Sequence, residues 1–538
     1  YGGVGFDELF GGEGTDTLYG GDDRDGLYGG NGADLLYGDA GNDVLNGNDG
    51  DDTLYGGLGF DEMYGEGGND IMYGGTERDG LYGGLGNDTL YGEDGDDVLD
   101  GHSGNDTLNG GAGADEIYGG AGYDEIFGGD GDDLAYGGTE RDGLYGGLGN
   151  DQLFGGQGND VLNGQEGNDI LNGGDGFDEM YGGDGDDTMS GGADRDGLYG
   201  GLGIDHLSGD DGDDVLDGHA GNDTLLGGGG NDEIYGGSGY DEIYGGDGND
   251  LAYGGTERDG LYGGLGNDQL FGGQGNDVLN GQDGDDALYG GTDADEMYGE
   301  AGDDLMFGGT ERDGVYGGIG TDTLYGEDGD DVVNGQAGDD YVDGGNGNDE
   351  MYGEAGNDTL IGGAGNDLMN GGDGNDVFVF DTGFGHDEIL GFSAGAGVGD
   401  VIRFSTTVFS SFSAVMAATA DNGQGWAVIT VGSNSIVLRG VSKAQLNAND
   451  FEFQAMSPAE GPLVLPGLEA GQQDKQAGPL VLPDLIQDDD PLILPGIADA
   501  GKWEFTPLVQ PSLGDTMDPL VLPGGLEGKP QWDDDPVI

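Results

Sequence analysis

From Gly2 to Val379 an apolar residue returns at every ninth position, beginning Leu9, Leu18, Leu27 and ending Leu360, Met369, Phe378, without one insertion or deletion. The span holds 42 copies of G-G-x-G-x-D-x-U-x, where U is apolar. An unbroken period of this kind predicts a solenoid in which each repeat is one structural step. The nonapeptide Gly83–Tyr91, GGLGNDTLY, shows the step. Its first six residues are turn-formers: Gly supplies φ > 0 and close backbone approach, and Asn or Asp tolerates the left-handed region. Its last three, T-L-Y, predict a short strand with Leu90 facing inward and Tyr91 outward.

One such turn-plus-strand cannot bury its own Leu, but two facing each other can. The coil then needs 18 residues per turn, and the array makes 21 turns. At about 4.8 Å between strands the stack is roughly 100 Å long. Its predicted core is a thin ladder of mostly Leu, Ile, Met and Val, too slim to offset the entropy of ordering a chain with 134 Gly. Stabilisation has to come from the turns as well.

The turns offer oxygen. The sixth position is Asp in all 42 copies. Carboxylates and the carbonyls of Gly-rich loops are hard donors that suit Ca²⁺, whereas Mg²⁺ dehydrates reluctantly and wants a tighter octahedron. A single Asp in a turn usually caps it; Asp at every layer of a chain with net charge −100 points to cations between layers. The expected calcium ligands are Asp7, Asp16, Asp34, Asp43, Asp52, Asp61, Asp70, Asp88, Asp97, Asp106, Asp115 and Asp124 in the first third of the array. Asp133, Asp151, Asp160, Asp169, Asp178, Asp187, Asp205, Asp214, Asp223, Asp232, Asp241 and Asp250 follow. Asp268, Asp277, Asp286, Asp295, Asp304, Asp322, Asp331, Asp340, Asp349, Asp358, Asp367 and Asp376 complete the set. Many ions would lie in two columns, one on each side of the coil.

This pattern resembles the RTX family, the hemolysin-type calcium-binding repeat, over Gly2 to Val379. The resemblance implies an all-β fold, a right-handed parallel β-roll, with calcium held by the sixth-position Asp and by loop carbonyls.

Seven repeats lack the fourth Gly: one, GGTDADEMY at Gly290, has Asp293 there, and the other six share a further change. They read GGDDRDGLY, GGADRDGLY, GGTERDGLY or GGTERDGVY, with an acid in place of the fourth Gly and an Arg beside it. Arg24, Arg78, Arg141, Arg195, Arg258 and Arg312 are the only basic residues of the array, spaced alternately six and seven repeats apart. Gly137 to Gln165 recurs letter for letter at Gly254 to Gln282, which indicates duplication of a thirteen-repeat block. A fixed cation in an anionic stack predicts that each guanidinium pairs with neighbouring carboxylates in place of calcium. Lateral contact between rolls is the other reading. Tyr fills the ninth position in 22 repeats. The expected outcome is an outward aromatic ladder, either cross-strand packing or a platform for polysaccharide or protein.

After Val379 the period stops. Residues 380–453 predict a β-rich cap built of VFVFD, DVIRFS, GWAVITVG, SIVLRG and DFEF, covering the open end of the roll. Residues 454–538 carry all 13 Pro and the recurring PLVLP-like motifs, and predict a flexible tail. The ending DDDPVI resembles an uncleaved C-terminal signal for type I secretion. Export in an unfolded state fits a roll that folds only in external calcium.

Composition narrows the functions. An excess of 112 Asp and Glu over 12 Lys and Arg argues against nucleic acid and anionic membrane surfaces as partners. With no Cys there are no disulfides or thiolate sites. No apolar run reaches the ~18 residues of a membrane span. Tyr1 falls where a ninth residue would, so natural sequence is expected before it. None of the four His lies in a zinc-protease motif, and GFSAG at Gly391 lacks a following His, so no catalytic set is expected. The reading is a calcium-binding protein of the exterior or surface of a Gram-negative-type bacterium, structural, adhesive or matrix-forming. Self-association and cell-surface polysaccharide are the candidate contacts. The alternatives are the C-terminal module of a larger enzyme or toxin, or a polysaccharide-binding accessory domain.

Overall fold

The computed structural model describes residues 1–395 and 399–455. Each repeat contributes one strand, and except at Tyr341–Asp343 and Thr359–Ile361 that strand is longer than the three residues expected from the sequence. Thr89–Asp94 is typical: T-L-Y continues through G-E-D. Its partner registers are Thr89↔Thr107, Leu90↔Leu108 and Tyr91↔Asn109, then Glu93↔Gly111 and Asp94↔Ala112. The ladder therefore crosses the first Gly of the next repeat. The bend expected there is carried by the second position, where Glu93 sits at φ 74° and Gly111 at φ 112°. Among the described residues every non-Gly residue with positive φ occupies a second or fourth position of a repeat, so the corners are fixed by backbone geometry that Gly meets without strain.

Strands pair in parallel with the strand two repeats on, as Leu81↔Leu99 in one sheet and Leu90↔Leu108 in the other. Alternate repeats thus build two parallel sheets facing each other. The eighth-position residues meet between them, and from Leu27 to Phe378 they are almost wholly buried. The result is an all-β parallel β-roll with two repeats per turn, whose core is the single ladder that the period predicts.

Both sheets outlast the repeats. Val377–Phe380 pairs with Val401–Ser405, which pairs with Phe451–Gln454. Leu368–Asp373 pairs with His386–Leu390, which pairs with Asn434–Leu438. Thr419–Asp421, Ala427–Val431 and Asn434–Leu438 then form an antiparallel meander at the end of that second sheet. Helical elements interrupt the strands read for this region: Phe412–Ala418 is a helix, capped by Ser411, which accepts the Ala414 N–H, and Lys443–Gln445 and Ala448–Asp450 are single 3₁₀ turns. The F-S-A-V-M-A-A composition of Phe412–Ala418 favours helix over strand and places buried Val415 against the sheet end. From residue 456 the Pro-rich segment and the ending DDDPVI lie outside the described residues.

Candidate metal centre

The sixth-position Asp follows the turn and precedes the strand, and its side chain folds back under the loop. From Asp25 to Asp376 these residues are 0–4% exposed, although they carry charge. One carboxylate oxygen is used by the fold. The main-chain N–H of each Asp donates to Oδ1 of the Asp one turn further on, as from Asp52 to Asp70 at 2.8 Å and from Asp187 to Asp205 at 2.9 Å. The bonds link Asp7, Asp25, Asp43 and their successors into one column, and Asp16, Asp34, Asp52 and theirs into a second. All 36 residues expected from the sequence stand in these two columns.

The other oxygen has no partner. Oδ2 of all 42 Asp is buried and unbonded. A buried carboxylate with an unpaired oxygen is costly. Burial is accordingly the leading cause of raised carboxyl pKa values: Asp70 and Asp232 rise to about 7, and Asp79 and Asp259 to about 8. Like charges one turn away add to the rise, while the Oδ1 hydrogen bond opposes it. A hard cation at Oδ2 removes the conflict. Main-chain oxygen lies at the same place: a Cβ set on Gly182 would stand 2.2 Å from Asp187 Oδ2 and 2.6 Å from the Gly200 carbonyl oxygen. Across the array the corresponding Cβ would be 2.1–2.8 Å from Oδ2, so the first Gly is required by the carboxylate it cradles. Among the described residues no three His, Asp or Glu side chains converge on one point. One free carboxylate oxygen per repeat with loop carbonyl oxygen beside it is a hard-donor environment that fits Ca²⁺ chemistry.

The structure corrects the sequence reading of the Arg repeats. Among the described residues none of the six Arg forms an ion pair, and Nε of Arg195 is buried without a partner. Asp25, Asp79, Asp142, Asp196, Asp259 and Asp313, left out of the expected ligands, have the same orphaned Oδ2 as the rest. The guanidinium therefore leaves the Oδ2 of these six Asp as unbonded as in every other repeat.

Two further carboxylates escaped the reading. Asp387 extends the first column, with Oδ1 accepting from Asp367 at 3.1 Å and Oδ2 buried and unbonded. Asp400 extends the second, with Oδ1 accepting from Asp376 at 3.1 Å, but its Oδ2 accepts from Ser393 N–H at 2.6 Å. Their signal was present as degenerate repeats: TGFGHDEIL keeps Asp and the apolar residue in place after a two-residue insertion, and GAGVGDVIR does so after a second break.

Models of the RTX calcium-binding nonapeptide repeat match in successive segments from residue 1 to residue 389. The chain belongs to the RTX calcium-binding repeat family. The array is thus a calcium-binding β-roll. No match is found among curated proteins. Two solved structures are similar. The AlgE6R3 subunit of the Azotobacter vinelandii mannuronan C5-epimerase is 30% identical, with a TM-score of 0.20, over 30% of this chain and 91% of that one. The extracellular lipase LipA of Serratia marcescens is 19% identical, with a TM-score of 0.16, over 43% of this chain. The match spans 44% of the lipase.

The tyrosine ladder also takes definite form. Tyr19, Tyr37, Tyr55, Tyr73 and Tyr91 stack at 4.8–5.0 Å with planes within 9° of parallel. Tyr235 to Tyr325 forms a second such run in the same sheet. Each interior ring has both faces covered by its neighbours. The ladder offers ring edges and hydroxyls, which suits cross-strand packing better than a platform on which sugar rings stack.

Proposed function

We propose that this chain is an extracellular structural rod that is exported unfolded by a type I machinery and folds on calcium outside the cell. The observation that carries the reading is the buried, unbonded Oδ2 in every one of the 42 repeats. Two uninterrupted columns of such oxygens support two columns of ions, with each sixth-position Asp, including those of the Arg repeats, giving one ligand. When bound, calcium supplies positive charge between layers. The chain's own residues do the rest: Oδ1 ties one turn to the next, the first Gly leaves room, and the eighth-position ladder closes the core. A net charge of −100 keeps the chain open until cations arrive. The length of the array favours a spacer, adhesin or matrix component over a solitary folding module.

The test is far-ultraviolet circular dichroism during a calcium titration, with magnesium as control. The expected result is a cooperative coil-to-β transition in calcium that magnesium does not produce. Full β-structure already present in chelator at about pH 8, where the carboxylates are ionised, would sink the proposal.

A further inference from the structure

The Arg repeats do not vary alone. The fifth position is aromatic in five of the 42 repeats, at Phe6, Phe60, Tyr123, Phe177 and Tyr240. Each stands one turn before an Arg: Arg24, Arg78, Arg141, Arg195 and Arg258. Ala294 takes that place before Arg312. The seventh positions change together as well. Glu in the first turn lies directly across the ladder from Gly in the second, as in Glu62↔Gly80 and Glu242↔Gly260, and no other repeat has Gly there. The ninth-position rings of the two turns stack, Tyr64 on Tyr82 at 5.1 Å and Tyr244 on Tyr262 at 4.9 Å. A two-turn cassette therefore recurs six times.

Its geometry is that of an open acceptor for anions. The fifth-position rings are 43–81% exposed, and among the described residues they stack on no other ring. At the Arg258 cassette Gly260 removes a side chain from the row, and a shallow cleft of about 490 Å³ opens among Tyr240, Glu242, Arg258 and Tyr262, with the sixth-position Asp223, Asp241 and Asp259 also in its wall, so it takes an anion only once calcium has neutralised them. Loop amides are released too. In ordinary loops a fifth-position Asn or Asp accepts the amide one turn on, as Asn69 does from Asn87 at 2.8 Å and Asn87 from Asn105 at 2.9 Å. Tyr123 still donates to Asn105 at 3.1 Å, but it offers no acceptor to Arg141, and Arg141 offers none to Asn159. The acid beside the Arg is turned away: Glu140 Oε2 accepts from Thr139 Oγ1 at 2.6 Å and from Gly122 N–H at 3.2 Å. An unpaired guanidinium, two loop amides and an exposed ring together suit a carboxylate supplied from outside.

We propose that the cassettes are lateral docking sites for a second copy of this chain, each taking an acidic loop residue of a neighbouring roll. Spacing selects this partner. Arg24 and Arg78, Arg141 and Arg195, and Arg258 and Arg312 are each six repeats, or three turns, apart on one edge. That is about 14 Å at strand spacing. The intervening steps of seven repeats place successive pairs on opposite edges. A rigid row of donors needs acceptors of equal pitch, and an identical roll has them by construction. Exposed Asp132 and Asp186 are likewise six repeats apart on one edge, and so are Asp285 and Asp339 on the other. The inference rests on the calcium reading, because two chains of charge −100 approach only after neutralisation.

Sedimentation velocity of the full chain in millimolar calcium, with circular dichroism on the same samples, tests it. One variant carries Arg→Gln at all six cassettes, and a second carries Ser at the five fifth-position aromatics. The wild type is expected to sediment as dimers or larger once rolled. Both variants should show the same calcium transition and associate at least about tenfold more weakly. A rolled wild type that stays monomeric, or variants that associate like the wild type, would overturn the proposal. So would a monomeric wild type retained on immobilised polyuronate through the six Arg, which would assign the cassettes to an anionic polysaccharide. A chain already rolled in chelator at about pH 8 sinks the calcium reading, and the docking proposal is then decided by sedimentation alone.

Discussion

The main-chain N–H of Asp61 donates to Oδ1 of Asp79 at 2.7 Å, while Oδ2 of Asp79 is buried with no partner. Half of the carboxylate thus belongs to the fold, and the other half is left for the cation proposed above. Asn keeps the first half and loses the second. Asp187→Asn should retain the Oδ1 bond yet place an amide where a cation is expected. Stability in calcium should fall by about 1–3 kcal/mol, and the calcium midpoint should rise. Denaturant titrations at fixed calcium, together with calcium titrations followed by circular dichroism, would check this; an unchanged calcium midpoint would remove Asp187 from the ligand set.

Acid should partly substitute for calcium. Burial first, then neighbouring carboxylates, raises the folded-state pKa of Asp196 to about 8 and of Asp106 to about 7, from 3.8. Between roughly pH 4 and pH 8 the metal-free roll therefore binds more protons than the unfolded chain, and its stability falls as pH rises through that window. In chelator, β-content should be greatest near pH 4 and least near pH 8. Calcium should have its largest effect at the upper end, because only the deprotonated carboxylate binds it. Circular dichroism across pH, with and without chelator, reads both; β-content that rises with pH in chelator would contradict the burial argument.

The glycines should divide sharply by position. On Gly182 an added Cβ would stand 2.2 Å from Asp187 Oδ2. On Gly229 its closest neighbour would be Asp211 Oδ1 at 3.7 Å. Gly182→Ala is expected to cost at least about 3 kcal/mol and to weaken calcium-linked folding, with Gly229→Ala within about 0.5 kcal/mol of the wild type. Thermal denaturation of the two variants in calcium makes the comparison, and equal losses would show that the cradle does not constrain the carboxylate.

The end of the first column should respond to calcium separately. Asp387 has an orphaned Oδ2, whereas Asp400 Oδ2 is held by Ser393. Asp387→Asn should speed amide exchange in His386–Leu390 and Asn434–Leu438 in calcium by about tenfold or more, leaving the middle of the array unchanged. Hydrogen-exchange mass spectrometry resolves these segments. Uniform exchange across the array, or none gained at His386–Leu390, would remove Asp387 from the column of ligands.

Much of this protein was legible in its period. A nine-residue recurrence of apolar positions implies a solenoid, two repeats per turn follow from burying residues such as Leu90, and Asp in every layer implies a hard cation. These features repeat along the chain, so one copy read correctly is 42 copies read correctly. Local chemistry could not settle what happens between turns. That Arg78 stays unpaired, that Asp79 keeps its site, and that Phe60 lies one turn before Arg78 depend on residues two repeats apart becoming neighbours. The six-residue strands have the same origin, because Gly92 and Glu93 join the ladder only when an adjacent turn supplies hydrogen-bond partners. Sequence alone determined the fold class and the ligand chemistry, since both are properties of a single repeat. Tertiary structure decided which oxygens are free and which side chains meet, since both are properties of the stack.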